Sequence, residues 1–221
     1  MPAVFLHGFP VTHPQASPPT SGSQAWLFFR QWLKNPLSIA ALAPSGTQLA
    51  ALMTAELPHG TRRVIELGAG TGVFTRAMLD SGVAADQLLV VELNEELYEH
   101  LQAQFPGARV VCGNACELAG IVAQQGFTQP GEVDAVVSGL GLLNMSRDLQ
   151  RSIMRSAFDV LGPEGSFIQF TYSPKPPLPR DLLEELGLSV RRGGFAWRNI
   201  PPASVFVFSR ARSEQMHAVR K

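Results

Sequence analysis

Val64-Ile65-Glu66-Leu67-Gly68-Ala69-Gly70-Thr71-Gly72 is a β-branched apolar run that breaks into glycines where a helix should begin. A second apolar run, Leu88-Leu89-Val90-Val91, ends on Glu92, at the distance of about twenty residues at which a nucleotide fold places its ribose-binding acid. Glycines after a first strand let the backbone come close to a ligand, and a carboxylate ending the second strand can accept from both ribose hydroxyls. Together the two runs describe a nucleoside-cofactor site. The glycine spacing then separates the cofactors. A dinucleotide site uses G-x-G-x-x-G, with a pyrophosphate on the helix N-terminus. Here the spacing is G-x-G-x-G with an acid two residues before the first glycine, and a carboxylate there repels phosphate and suits an ammonium.

The E-x-G-x-G-x-G form resembles motif I of the class I S-adenosylmethionine-dependent methyltransferases. That resemblance implies Glu66 near the methionine end of S-adenosylmethionine and Glu92 on the ribose, with Gly68, Ala69, Gly70, Thr71, Gly72 and Leu93 lining the cofactor. A tight turn in another α/β protein would use similar glycines. The order strand, loop, helix, strand, acid is the context that tells the two apart.

At 221 residues and 45% hydrophobic content the chain can bury a full core as one domain. No run of roughly eighteen apolar residues marks a membrane span, and Met1-Pro2-Ala3-Val4-Phe5 lacks the pattern of a secretory signal. Lys+Arg and Asp+Glu both count 18, unlike the basic footprint of a nucleic-acid enzyme, so no nucleic-acid partner is expected. Cys112 and Cys116 are too few for a zinc site with the scattered histidines, so no metal is expected and both read as reduced, buried thiols of a cytoplasmic protein.

Residues 1–23, rich in Pro, Ser, Thr and Gly, read as a flexible segment. Residues 24–56 read as a helical region. On a helical projection Trp26, Phe28, Phe29, Trp32 and Leu33 share one side, with Arg30, Lys34 and Gln31 opposite. Asn35-Pro36 should end that helix, and Pro44-Ser45-x-x-Gln48 reads as a capping box opening a second one. Residues 57–211 alternate strand and helix patterns, as in a doubly wound α/β sheet. Strands are expected at 63–67, 88–91, 109–112, 133–138 and 166–172, with helices near 73–81, 95–104, 116–124 and 148–160. A closing pair at 187–197 and 204–210 completes a seven-stranded, Rossmann-like sheet with helices on both faces, and 212–221 reads as a solvated tail.

Ligands of open parallel sheets bind outside the carboxyl ends of the strands. Those ends supply Asn114 and Ala115, then Ser138-Gly139-Leu140, then Gln169-Phe170-Thr171-Tyr172. Asn114 can accept from an adenine amino group and Ala115 can offer its N–H to the ring; equally, Asn114 suits an Asx turn. Ser138, Gly139 and Leu140 face the cofactor. Methyl transfer from a sulfonium needs an aligned, deprotonated nucleophile. Tyr172 is the candidate for touching it, or else a rim tyrosine whose hydroxyl caps a loop. Phe170, Phe195 and Trp197 offer ring faces to a methylated ammonium, or serve as ordinary core.

Trp32-Leu33-Lys34-Asn35-Pro36-Leu37, the glycine loop, Val91-Glu92-Leu93-Asn94, Phe105-Pro106-Gly107, Ser138-Gly139-Leu140, Gln169-Phe170-Thr171-Tyr172 and Trp197-Arg198-Asn199-Ile200-Pro201-Pro202-Ala203 resemble the bacterial phospholipid N-methyltransferases of the Rhizobium/Agrobacterium type. The resemblance spans Phe29 to Arg210. It implies successive methylation of phosphatidylethanolamine toward phosphatidylcholine, with S-adenosylhomocysteine as the other product, on the inner face of the cytoplasmic membrane. It also implies an N-terminal helix on anionic lipid through Arg30 and Lys34; the helical pattern sets Trp26, Phe29 and Trp32 against the lipid, and Tyr172, Trp197 and Asn199 are the candidates for the reacting end. An interfacial helix and a lid over the site are both consistent with that pattern. Gly141 stands where many relatives carry proline, and Asn114 where an acid is common. The first leaves the acceptor open to a mono- or dimethylated product or to an ornithine lipid. An rRNA adenine N6-methyltransferase shares the loop, but it needs an N-L-P-Y-like aromatic motif after strand four, where this chain has Ser138-Gly139-Leu140-Gly141. A binding module without turnover is the third reading.

Overall fold

A computed structural model describes residues 44–129, 131–197, 199 and 201–211. The expected contacts at Trp26, Phe29, Arg30, Trp32 and Lys34 lie outside these residues. Seven strands form one sheet: β1 (Val64–Leu67), β2 (Leu88–Glu92), β3 (Arg109–Cys112), β4 (Val133–Ser138), β5 (Leu161–Thr171), β6 (Leu188–Ala196) and β7 (Ala203–Arg210). Their order is β3-β2-β1-β4-β5-β7-β6. Strands β1 to β5 run parallel, and β7 is antiparallel between β5 and β6. The helices are α1 (Pro44–Thr54), α2 (Val73–Asp80), α3 (Glu95–Gln104), α4 (Leu118–Gln124), α5 (Arg147–Val160) and α6 (Arg180–Leu186).

Alternation along the strands feeds two cores. Ile65, Leu67, Leu89, Val91, Val136, Phe167, Phe206 and Phe208 point to the face covered by α4, α5 and α6. Val64, Leu88, Val90, Val137, Ile168 and Val207 point to the other face, under Leu49 and Met53 of α1, Met78 of α2 and Leu101 of α3. Burial on both faces explains why the central strands read as unbroken apolar runs. The order reverses between β1 and β4, so the crevice for a ligand opens at their carboxyl ends.

Four expectations are corrected. Strand β5 starts at Leu161 rather than Ser166, because Leu161 pairs with Val133 across a register shift before Ser166 joins Ala135. Helix α6 lies where no helix was expected. Its signals are Pro179 before it, Gly187 in the left-handed region after it, and an Arg180–Glu184 ion pair one turn apart. Cys112 is exposed and Cys116 half-buried, both free, because β3 is the sheet's edge strand. The Ser45 side chain of the expected capping box lies outside what the structure describes. Helix 116–124 also resolves into a 3₁₀ turn at Ala115–Glu117 followed by α4.

Long-range polar bonds fix the helices on the sheet. The buried Ser156 of α5 accepts from the Leu118 N–H that opens α4, at 2.9 Å. Ser156→Ala strands that buried donor, and is expected to lower the unfolding free energy by about 1–3 kcal/mol in urea titration.

Candidate functional site

The loop after β1 turns on three glycines in the left-handed region, with φ of +66° at Gly68, +59° at Gly70 and +82° at Gly72. Side chains disfavour that region, so the glycines let the loop fold back over the strand ends. Gly68 N–H donates to the Val91 carbonyl at 2.8 Å and Gly72 N–H to Ala69 at 3.0 Å. Ala69 and Thr71 are buried between them.

Glu92 ties this loop to β2. Its Oε2 accepts from Gly70 N–H at 3.0 Å, while Oε1 accepts from Leu93 N–H at 2.9 Å and Asn94 N–H at 3.0 Å. A carboxylate has about four lone-pair sites, so Oε2 keeps one for a further donor. Leu93 beside it is 71% exposed and forms an open wall. Asn94 then caps α3 by accepting from Leu97 N–H at 2.9 Å.

Glu66 is wholly buried. Its Oε2 accepts from the Thr75 hydroxyl of α2 at 2.5 Å, and Oε1 has no partner. Burial pushes its pKa up to about 8; the Thr75 hydrogen bond opposes the rise and the nearby Glu92 adds to it. An acid in that state holds a proton at neutral pH, and a cation placed beside it favours its ionised form. Sequence reasoning gave Thr75 no role. A hydroxyl in the first turn of the helix carries no periodic signal.

At the end of β3 the Asn114 side chain accepts from Cys116 N–H at 3.0 Å, capping the 3₁₀ turn that begins at Ala115. The Asx reading therefore describes its oxygen here. At the end of β4, Ser138 Oγ accepts from Leu140 N–H at 3.3 Å, and Gly139 N–H donates to the Leu67 carbonyl at 2.8 Å. A Cβ on Gly139 would overlap the Gly68 carbonyl oxygen, so the loops after β1 and β4 touch through backbone.

Beyond β5 the aromatic rings form a ladder. Phe74 of α2 meets Phe170 edge-on at 5.6 Å between centroids, and Phe170 meets Tyr172 at 5.5 Å. Burial raises the Tyr172 pKa, and a side-chain hydrogen bond from Asn199 partly offsets this. The hydroxyl is thus neutral at physiological pH and acts as a hydrogen-bonding group. Asn199 is buried, with its Nδ2 donating to the Pro201 carbonyl at 2.7 Å. The structure brings Tyr172 and Asn199 together. Trp197 stands apart, 79% exposed, with its ring packed edge-on against Phe195 at 4.4 Å. Phe74 was missed as part of this ladder because it approaches from a helix on a different stretch of chain.

An S-adenosyl cofactor fits this donor set. An unpartnered buried carboxylate oxygen on Glu66 suits its ammonium, a spare lone pair on Glu92 suits its ribose, and the left-handed glycines keep the loop free of side chains.

Residues 64–165 match the family model described as a methyltransferase domain. The ornithine lipid N-methyltransferase of Singulisphaera acidiphila is 32% identical over 187 residues, covering 82% of this chain and 93% of that protein. Among solved structures, a TehB-like SAM-dependent methyltransferase of Corynebacterium glutamicum matches with a TM-score of 0.56 at 20% identity, covering 85% of this chain and 98% of that one. The Burkholderia thailandensis 1,6-didemethyltoxoflavin-N1-methyltransferase, solved with 1,6-didemethyltoxoflavin and S-adenosylhomocysteine, matches with a TM-score of 0.59 at 16% identity over 92% and 94%. These two show a shared fold.

The raised Glu66 pKa makes stability depend on pH with a definite sign. A folded-state value of about 8 against an ordinary 4.5 means that the folded chain holds an extra proton between these limits. Its contribution is therefore fully present below about 4.5 and is lost as pH rises through about 8. In urea titrations across that window, Glu66→Gln is expected to gain on the wild type as pH rises. A difference that stays flat contradicts the assignment.

Proposed function

We propose an aminolipid as the methyl acceptor of this chain, which belongs to the class I S-adenosylmethionine-dependent methyltransferases. It is an enzyme of that kind, and its cofactor is S-adenosylmethionine. The observation that carries the lipid reading is the ornithine lipid N-methyltransferase relative, similar across nearly the whole of both chains. Ornithine lipid is therefore the first acceptor to consider. Phosphatidylethanolamine is the second, supported by the Gln169-Phe170-Thr171-Tyr172 and Asn199-Ile200-Pro201-Pro202-Ala203 segments.

The surface supports a lipid partner. Among the described residues the exposed large apolar side chains are Val73, Leu93, Leu143, Leu149 and Trp197, of which Leu93 and Trp197 directly follow the carboxyl ends of β2 and β6. No described helix is long and apolar enough to cross a membrane. We assign peripheral contact with anionic lipid on the cytoplasmic face to Trp26, Phe29, Arg30, Trp32 and Lys34, as aromatics opposite cations suit the interface.

The cofactor supplies a methyl group already activated by positive charge. The chain's residues then have three tasks. Glu92 offers the ribose its free lone pair, the glycine loop with Glu66 receives the amino-acid end, and Ser138, Gly139 and Leu140 close the crevice toward β5. Phe74 and Phe170 give the incoming amine an apolar wall, and desolvation lowers an ammonium's pKa, exposing the lone pair that attacks. As the new N–C bond forms and the S–C bond breaks, the positive charge passes to nitrogen, where ring faces stabilise it by ~0.5–2 kcal/mol. Tyr172, held by Asn199, orients the amine.

Incubation with labelled methyl donor and ornithine lipid, phosphatidylethanolamine or RNA, resolved by thin-layer chromatography, should label an aminolipid and leave RNA unlabelled. Tyr172→Phe should lower kcat about tenfold, the worth of one hydrogen bond, with S-adenosylhomocysteine affinity unchanged. Label in RNA alone overturns the reading. In co-sedimentation with phosphatidylglycerol vesicles, Arg30→Ala/Lys34→Ala should weaken binding, most visibly at low salt. Equal binding to neutral vesicles removes the electrostatic part.

A further inference from the structure

We propose that Gln169 is a positioning residue for methyl transfer: it locks the loop after β4 onto the glycine loop, so that the donor cradle and the acceptor strand hold one geometry. The inference rests on the donor cradle and does not require the acceptor to be a lipid. Across the sheet, Val91, Leu67, Ser138 and Gln169 stand abreast as paired residues of β2, β1, β4 and β5. Gln169 thus lies level with the last residues of β1 and β4, on the floor of the crevice. It is wholly buried.

Its Nε2 donates to the Leu140 carbonyl at 2.8 Å and to the Phe170 carbonyl at 2.7 Å. Both amide hydrogens are thereby used, which settles the orientation of the group. Leu140 is the piece being held. Its N–H is bonded to Ser138 Oγ, and a Cβ on Gly68 would come within 2.6 Å of its Cδ2. One side of Leu140 therefore rests on the glycine loop. The other side is fastened to the strand that carries Phe170 and Tyr172. No other described side chain donates to the Leu140 carbonyl.

The unused end of the amide strengthens the argument. Gln169 Oε1 is buried without a partner, which is unfavourable for a polar atom out of water. A methionine of similar size would avoid that. What the glutamine provides is a pair of N–H donors aimed at two carbonyls, one in the loop after β4 and one in β5. Transfer between a bound donor and a bound nucleophile is sensitive to such alignment, since a misplacement of about 1 Å can cost about a hundredfold in rate.

Two variants separate positioning from packing. Gln169→Met keeps volume and removes both donors. Gln169→Glu keeps shape, and its protonated form restores one donor to Leu140. At a temperature well below each variant's unfolding midpoint, Gln169→Met is expected to lower kcat tenfold or more, with S-adenosylhomocysteine affinity changed by less than about threefold. Its amide hydrogen exchange should quicken at 139–144 and at 68–72 together. Gln169→Glu should regain kcat as pH falls, because only the acid form donates. The proposal is overturned by an unchanged kcat, by faster exchange that spares 68–72, or by a Gln169→Glu loss that ignores pH and follows the midpoint. If the wild type methylates none of the lipids, the acceptor reading fails, and the exchange measurement alone still decides this one.

Discussion

The site is organised around one carboxylate that receives three backbone N–H groups. Glu92 ends β2, and its two oxygens collect the amides of Gly70, Leu93 and Asn94. Two of these donors belong to its own turn and one to the loop after β1, so a single side chain joins two strand ends that the sheet's ladder no longer reaches. Hydrogen bonds to a carboxylate are roughly twice as strong as those between neutral groups. The left-handed glycines are the other half of the device, because only with that backbone can the Gly70 amide turn back toward β2. Asn94, placed by the same turn, caps α3, and the first turn of that helix carries Glu95 and Glu96 at its positive end.

A second acid, near enough for Glu92 to act on it electrostatically, is treated in the opposite manner. Glu66 has one hydroxyl donor, one orphan oxygen and no access to water. Among the described residues Glu92 and no cation acts on it electrostatically, and burial outweighs the Thr75 bond. Two acids beside one glycine loop thus divide their tasks by environment: one is spent on backbone donors, the other is kept ready for positive charge. A phosphate would find repulsion here where a dinucleotide fold offers bare amides, so electrostatics as well as glycine spacing favours a cationic donor.

The sheet was legible because burial on both faces leaves little choice of residue. Strands β1, β2 and β4 are apolar runs that end in glycine, acid or a serine–glycine step, and all three were placed within a residue or two. Legibility fell where pairing, and not composition, decides. Leu161 enters β5 only because Val133 lies opposite. Cys112 is exposed because its strand has a neighbour on one side only. In the site, Glu66 and Glu92 follow from motif spacing. The bonds of Thr75 and Gln169 do not, because a bond across 9 or 29 residues depends on how the chain folds back and leaves no local pattern.

The acceptor end makes a different demand from the donor end. Burial and Asn199 account for the state of Tyr172, and no charged group contributes to it. A phenol held neutral cannot take a proton from an ammonium, so for the proposed acceptor the proton must leave before the amine reaches Phe170. An apolar wall favours that loss, since desolvation disfavours the charged form. In the proposed reaction the same wall would face the methylated product, whose fixed charge the ring faces of Phe74 and Phe170 would stabilise. Each added methyl widens the cation and spreads its charge over more apolar surface, which the rings tolerate better than a compact ammonium. The strand that carries Phe170 is joined to the loop after β4 by the Gln169–Leu140 bond. Gly141 follows directly after Leu140, the residue that bridges the two loops.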